Sequence, residues 1–275
     1  MTPFSISGIL ILLNLIVSYQ GFKNRAFYNK YAFKIDAVLV QKDYKRIITS
    51  GFLHVSWTHL IFNMVALYFF GDSLERVIGV VNYLVIYLAA LAGGSLLSLF
   101  IHRNHSAYSS AGASGAITGV IFASIALFPG MNIGLFLLPS IPGWLFGLIY
   151  VLVSIYGIRS RTSNIGHDAH LGGGLAGMLT AIILFPLILT QNTVTILVVA
   201  LPAIAFILFI IYKPHALLID NLFFKSNRNL TLEDKYNLTK IDKQKELDKL
   251  LEKIHFKGMD SLSKKERETL KEYSK

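Results

Sequence analysis

Isolated polar residues lie at the starts of alternate hydrophobic segments, and their types suit nucleophilic catalysis. They are His59 with Asn63, then Ser114, then His170. Alternate helices of a serpentine membrane protein enter from the same face, so these groups share one side and one depth of the bilayer. A serine is a poor nucleophile alone and needs a base within hydrogen-bond reach, which a histidine can supply. The pattern predicts a nucleophile, a base and hydrogen-bond donors assembled inside the membrane.

Small residues surround the serine and the second histidine. Gly115 follows Ser114, with another glycine four positions later, while Gly173 and Gly177 lie on the helical face of His170. Small residues at this spacing let membrane helices approach closely, so the two polar side chains can meet. For the glycines beside Ser114 alone, ordinary helix packing is the better explanation, but it is a weaker explanation for a histidine beside a glycine face. An ionisable side chain within a span is costly, however, and marks a functional site by default.

His59 and Asn63 are four residues apart and therefore share one face of a helix. Both can donate a hydrogen bond, and the start of a helix adds free backbone N–H groups and a positive dipole end. Such preorganised donors stabilise a developing oxyanion. For Asn63 alone, a hydrogen bond between helices is an equally good interpretation.

Four histidines on one side, His54, His59, His167 and His170, make zinc the main chemical alternative. They do not form the H-E-x-x-H motif, and Asp168 is the one nearby carboxylate, so we expect neither a metal nor another cofactor. Asp168 lies two positions before His170, on a separate helical face, and is not assigned as a third catalytic member. For His54 and His167 we expect a structural or solvated role near the membrane surface.

The composition predicts a membrane protein with a soluble tail. The chain is 53% hydrophobic and 15% charged, with a mean hydropathy of +0.55, well beyond ordinary soluble domains. Residues 1–212 hold 11 Lys and Arg against 5 Asp and Glu, whereas residues 213–275 hold 15 against 11. We therefore expect a membrane domain over 1–212 and a basic, helical, soluble tail over 213–275. The absence of cysteine excludes thiol catalysis.

A membrane span needs about 20 apolar residues, and the sequence contains seven candidates, near residues 4–20, 56–71, 81–101, 112–129, 142–158, 168–188 and 194–212. Because Pro139 and Pro142 interrupt the apolar stretch from 131 to 158, one span after a partly buried loop is expected there. The long polar loop over 21–56 is expected to fold on the membrane surface. The tail has the pattern of a small helical hairpin, with Gly258 between its helices.

An ordered set of motifs runs through residues 40–180. It comprises His54-Val55-Ser56-Trp57-Thr58-His59-Leu60-Ile61-Phe62-Asn63, then Gly71 with Glu75-Arg76, then Gly112-Ala113-Ser114-Gly115, then Ala169-His170 with Gly173 and Gly177. As a set, these motifs resemble the rhomboid family of intramembrane serine proteases. The resemblance implies an all-α polytopic membrane protein with a six-helix core, to which the sequence adds a seventh transmembrane helix and the helical tail.

The resemblance also implies roles for individual residues. Ser114 matches the nucleophile of a Ser-His dyad and His170 its general base, while His59, Asn63 and the backbone N–H of Ser114 match the donors of the oxyanion hole. Thr118, four positions after the serine, stands where the family often has an aromatic ring stacked on the imidazole. We therefore expect the base to be held less firmly here.

Supporting residues follow from the same resemblance. Arg46 matches the arginine of a Trp-Arg motif in the first loop, with Lys45 at the tryptophan position, and Glu75 with Arg76 resembles a polar cluster at the cytoplasmic end of the second helix. The small residues expected to support the site are Gly112, Gly115, Gly173 and Gly177.

The expected function is cleavage of transmembrane segments in single-span or multi-span substrates, by an enzyme of the cell (inner) membrane surrounded by lipid and without a nucleic-acid partner. The alternative is a catalytically silent rhomboid-like protein that binds or escorts membrane clients. Silent relatives typically lack the serine or the histidine, and both are present. A transporter or channel ranks last because its midplane path needs charges that the spans nearly lack.

The side of the membrane is a point of conflict. Seven Lys and Arg residues in the loop over 21–56 favour a cytoplasmic loop by the positive-inside rule. The family places this loop and the active site outside the cytoplasm, and we follow the family. Seven spans would then put the tail outside, and six would put it in the cytoplasm.

Overall fold

The computed structural model describes residues 5–106, 108–134, 139–160, 165–212, 254 and 263. These residues are mostly helical, as expected of an all-α polytopic membrane protein. Their α-helices are α1 Ile6–Lys23, α2 Arg25–Tyr31, α3 Ile35–Leu39, α4 Arg46–Thr49, α5 Trp57–Ala66, α6 Asp72–Ile78, α7 Val80–His102, α8 Ser114–Leu127, α9 Gly143–Ser160, α10 His167–Leu184, α11 Ile188–Gln191 and α12 Thr193–Tyr212.

Short elements complete the fold. A 3₁₀ turn, Ser50–Phe52, follows α4, and a π-helical turn, Leu67–Gly71, joins α5 to α6. Two antiparallel pairs of two-residue strands are present: β1 Phe33–Lys34 with β2 Ser109–Ser110, and β3 Asn132–Ile133 with β4 Ile141–Pro142. The second pair forms where a partly buried loop is expected, and α9 begins directly after it.

Helices α1, α7, α9 and α12 are each long and apolar enough to cross a membrane. The segments Arg46–Phe52 and Trp57–Ile78 pass the same test together, with a bend of 94° between them, and make a fifth candidate if the bent pair is counted as one span. All seven segments proposed from the sequence are helical, but α8 has only 14 residues. The number of spans therefore stays a prediction.

Helix α8 lies at the centre of the fold. Apart from the hydroxyls of Ser114, Thr118 and Ser124, its side chains are apolar, and every residue from 115 to 126 is buried, as expected of a helix surrounded by other helices. It packs against α7 and α10, and α7 also contacts α10 through glycines. A Cβ on Gly94, for example, would lie 2.6 Å from the carbonyl oxygen of Ala169. The outer helices expose large apolar side chains that suit contact with lipid, among them Leu12, Ile16, Leu152, Val153 and Leu201.

The loop over 21–56 is folded rather than extended. It contains α2, α3 and α4 and two small apolar clusters, one around Leu53 and one around Phe33. Strand β1 of this loop pairs with β2, which lies four residues before α8. The loop is therefore joined directly to the segment that leads into the central helix.

The chain divides into two compact units, Met1–Leu217 and Leu218–Lys275. The first contains α1 to α12. Apart from residues 254 and 263, the second unit lies outside the described residues, as does the helical hairpin expected for the tail. The proposed boundary between 212 and 213 stays a prediction.

Candidate active site

Ser114 and His170 meet at the contact between α8 and α10. Ser114 is the first residue of α8, and His170 lies in the first turn of α10. The distance from Nε2 of His170 to Oγ of Ser114 is 2.7 Å, within the range of a hydrogen bond. The structure thus brings together the two residues to which the sequence assigns the nucleophile and the base.

Four glycines allow this approach. A Cβ on Gly173 would clash with the backbone of Gly115, and a Cβ on Gly177 would clash with the backbone of Gly119. Since backbone atoms cannot rotate away as a side chain can, Gly173 and Gly177 must be glycine for the two helices to pass at this distance. The close contact fixes the position of His170 relative to Ser114.

Gly112 lies between the serine and the first histidine. Its φ of +150° is easily adopted only by glycine, and its N–H donates to the carbonyl of Ser50 at 3.0 Å. A Cβ there would lie 2.7 Å from Cε1 of His59 and 3.6 Å from Oγ of Ser114. His59 and Ser114 therefore border the same small space.

His59 and Asn63 occupy one face of α5. The Ser56 hydroxyl accepts from the His59 N–H at 3.2 Å and caps the helix. Asn63 is buried, and its Nδ2 donates to the His59 carbonyl at 3.1 Å. An amide nitrogen carries two N–H groups, so Asn63 can make a further hydrogen bond to a ligand.

Tyr150 of α9 is a site residue that sequence reasoning missed. Its hydroxyl lies 3.0 Å from Nδ1 of His170 and 3.0 Å from Oγ1 of Thr118. Thr118 in turn donates to the Ser114 carbonyl at 2.8 Å. The expectation of a weakly held base overlooked this arrangement, in which both imidazole nitrogens have a hydroxyl partner. The one signal in the sequence is a tyrosine within an apolar span, because a buried phenol usually finds a hydrogen-bond partner.

Asp168 points to other partners than His170. Its carboxylate lies 3.3 Å from Nε2 of His102 and accepts from the Tyr108 hydroxyl at 3.1 Å, while the His102 and Tyr108 rings stack with centroids 3.6 Å apart. Burial raises the pKa of Tyr108 above its ordinary value, and the negative charge of Asp168 raises it further. Asp168 thus ties the segment before α8 to the ends of α7 and α10.

The remaining histidines of the zinc hypothesis are placed in packing roles. His54 is fully buried rather than solvated, and its Nδ1 lies 2.9 Å from Oγ of Ser18. The ring of His167 packs on Gly157. Among the described residues, no three His, Asp or Glu side chains are grouped so that they could hold a metal ion.

Arg46 is buried within the first loop. Its guanidinium donates to the carbonyls of Asn29 and Ala32 at 2.8 and 2.6 Å and to the Asp43 carboxylate at 2.9 Å. Lys45 is exposed and contacts the same carboxylate at 3.3 Å. Arg46 therefore joins α2 to α4, whereas Lys45 does not pack into the loop.

Glu75 and Arg76 have different environments. The buried Glu75 carboxylate accepts from the backbone N–H groups of Ile6 and Ser7, both at 2.8 Å, and from the Ser7 hydroxyl at 2.7 Å. A carboxylate at a helix N-terminus satisfies orphan donors and is favoured by the helix dipole. Arg76 is exposed and pairs with Asp72. Glu75, and not Arg76, links α6 to the start of α1.

Comparisons with known proteins give consistent matches. A family model described as Rhomboid domain matches residues 41–187, and one described as a family of unknown function (DUF6576) matches residues 230–275. The chain is 38% identical over 151 residues to Rhomboid protein 1, mitochondrial, of Saccharomyces cerevisiae, covering 52% of this chain and 43% of that protein.

Two further relatives extend the range. RHOMBOID-like protein 12, mitochondrial, of Arabidopsis thaliana is 30% identical over 181 residues, covering 60% of this chain and 54% of that protein. Rhomboid protease GluP of Bacillus subtilis is 31% identical over 172 residues, covering 62% of this chain and 32% of that protein. The chain thus spans about half or less of the length of these relatives.

Proposed function

Because the chain belongs to the rhomboid family, we propose that this integral membrane protein is a serine-type endopeptidase that cleaves transmembrane segments of other membrane proteins. The observation that carries the proposal is the 2.7 Å approach of the Ser114 hydroxyl to Nε2 of His170. A serine placed this way has the base that it needs to act as a nucleophile.

The proposed reaction proceeds in two halves. His170 Nε2 takes the proton of Ser114 as Oγ attacks the scissile carbonyl carbon, and the carbonyl oxygen becomes negatively charged. The imidazolium then gives its proton to the departing amine, which leaves an acyl group on Ser114. In the second half a water molecule attacks that acyl group, His170 takes the proton of the water, and the proton returns to Ser114 as the acid product leaves.

The oxyanion is assigned to donors around Gly112. His59 borders the same space as Ser114, Asn63 shares its helix face, and the Ser114 backbone N–H is free of intrahelical bonding because it begins α8. Donors of this kind act most strongly as the charge develops, so loss of one is expected to lower turnover by up to about 10²-fold. Arg46 and Glu75 are proposed to hold these groups in place, together with the glycines Gly112, Gly115, Gly173 and Gly177.

The proposed substrates are single-span or multi-span membrane proteins that enter from the bilayer. A peptide bond within a helix is hydrogen-bonded and shielded, so the substrate must partly unwind before Ser114 can reach it. Cleavage is expected near the extracytoplasmic end of the substrate span. The proposed location is the cell (inner) membrane; a mitochondrial membrane is the alternative that the names of two relatives raise.

A gel assay of the purified protein in detergent tests this function. Wild type should cleave a single-span substrate, whereas Ser114→Ala and His170→Ala should not. Ser124→Ala is the matched control, because Ser124 is buried in the same helix and its hydroxyl bonds only back to Val120 in the described structure. Cleavage by folded Ser114→Ala at the wild-type rate would overturn the proposal. If the wild-type protein itself does not cleave the substrate but co-purifies with it, a silent client-binding protein would be favoured instead.

A further inference from the structure

A short chain of hydroxyl groups connects the two members of the dyad on the side away from their own contact. It runs from Nδ1 of His170 to the Tyr150 hydroxyl at 3.0 Å, on to Oγ1 of Thr118 at 3.0 Å, and ends at the Ser114 carbonyl at 2.8 Å. Three helices, α10, α9 and α8, each contribute a member. The Tyr150 ring is packed between Phe122 and Phe146, with centroids 6.0 and 5.9 Å away.

The direction of these hydrogen bonds follows from the number of protons available. A carbonyl can only accept, so the Thr118 hydroxyl spends its single proton on Ser114. The Thr118 oxygen can then act only as an acceptor toward Tyr150, so the Tyr150 proton is directed to Thr118. The Tyr150 oxygen is left to accept from His170, which requires the imidazole proton to be on Nδ1.

This direction determines which imidazole nitrogen can act as the base. A neutral imidazole carries one proton, and the nitrogen that lacks it is the one that can accept. With the proton on Nδ1, the unprotonated nitrogen is Nε2, which faces Oγ of Ser114 at 2.7 Å. The opposite tautomer would present an N–H to the serine and could not take its proton. The Asp168 carboxylate, bound to His102 and Tyr108, is occupied elsewhere.

We propose that Tyr150, with its proton directed by Thr118, is a positioning residue that holds His170 in the tautomer with Nδ1 protonated and Nε2 facing Ser114. The inference rests on the proposed function for its kinetic part. It gives the dyad a neutral partner for the base, supplied by α9, in the position where an acidic third member would act. Thr118 also gains a role in the site, whereas from the sequence alone it marks only the absence of an aromatic ring.

Tyr150→Phe tests the inference because it removes the hydroxyl and keeps the packed ring. Loss of this buried hydrogen bond leaves the tautomer of His170 unfixed, so we expect kcat to fall about 10- to 100-fold, a rise of about 1.4 to 2.7 kcal/mol in the barrier, with little change in KM. Tyr156→Phe is the matched control: Tyr156 lies on the same helix and is 70% exposed, so kcat should stay at the wild-type value.

Thr118→Val provides a second variant of nearly the same shape, should Tyr150→Phe unfold. Loss of the Thr118 acceptor frees the Tyr150 proton to be donated to Nδ1, which favours the wrong tautomer. We expect a smaller fall in kcat than for Tyr150→Phe. The double variant should be about as slow as Tyr150→Phe alone, and not slowed by the product of the two single effects, because both residues act through one hydrogen-bond chain.

The ¹⁵N spectrum of the histidine side chains supplies a readout that does not depend on proteolysis. The signals of His170, identified by their loss in His170→Gln, should show a protonated Nδ1 in wild type and a mixed or reversed tautomer in Tyr150→Phe. An unchanged tautomer together with unchanged kcat in both variants would overturn the inference and leave the proposed function standing. Substrate cleavage by Ser114→Ala would overturn the proposed function, while the tautomer measurement would still decide the role of Tyr150.

Discussion

The contact between α8 and α10 gives a prediction whose size can be worked out from the structure. In Gly173→Ala, the new Cβ would lie 2.7 Å from the carbonyl carbon of Gly115, whereas ordinary van der Waals contact needs about 3.5 Å. The helices must therefore separate by at least about 0.8 Å at this point, since the carbonyl oxygen of Gly115 lies closer still. The same displacement along the Ser114–His170 direction would lengthen their 2.7 Å contact to about 3.5 Å, beyond a normal hydrogen bond.

Such a displacement should reduce kcat by about 10²-fold, since a misplacement of about 1 Å costs that much in other enzymes. It should also destabilise the fold by about 1–3 kcal/mol through overpacking. Initial-rate cleavage and the thermal unfolding midpoint in detergent measure the two effects. Gly130→Ala is the control, because a Cβ at Gly130 meets nothing within 4 Å. Wild-type kcat in a folded Gly173→Ala protein would refute the argument that the glycine contact sets the geometry of the dyad.

Three further predictions concern the oxyanion donors, the α1–α6 link and the tail. Asn63→Ala and His59→Ala should each lower kcat by up to about 10²-fold with KM nearly unchanged in steady-state assays; a rise in KM alone would make the residue a binding or packing group. Glu75→Gln should lower the free energy of unfolding by about 2 kcal/mol, because charge-assisted bonds to the start of α1 are lost. Arg76→Ala breaks an exposed ion pair and should change that free energy by less than about 1 kcal/mol. Equal shifts in the melting curves of the two variants would contradict this assignment. Truncation after Phe224 should leave cleavage in detergent largely intact, since no proposed catalytic group lies beyond it, and lost activity in a truncated, monodisperse protein would refute the division into two parts.

The helical segments could be predicted because an apolar run needs only its composition to indicate a span. All seven segments are helical in the structure. The π-helical turn at Leu67–Gly71 and the continuation of the second segment to Ile78 were not predicted, because they depend on local hydrogen-bond register and on the buried Glu75 contact with α1. The short helices of the loop over 21–56 were also missed, since they are held by contacts such as those of Arg46 rather than by a repeating apolar pattern.

The members of the candidate site could be selected from residue type and spacing, but their partners could not. Ser114 and His170 stand out as polar groups beside glycines in apolar segments, and the structure has them in contact. Tyr150 lies on a third helix, and nothing in the spacing of the sequence indicates which face of α9 meets His170. Asp168 likewise finds its partners on α7 and in the following loop, and only the packing of α7 against α10 determines that choice.

The most direct test of the central claim is the site at which a fluorophosphonate reacts. In this reaction a serine oxygen bonds to phosphorus and fluoride leaves, and the serine must be activated by a base. Peptide mass spectrometry of the labelled wild-type protein should find one adduct, on Ser114, and labelling should be lost in His170→Ala while Ser124→Ala labels normally. Equal labelling of Ser114 in folded His170→Ala, or an adduct on another residue in a protein that cleaves substrate, would contradict the assignment of Ser114 and His170 as nucleophile and base.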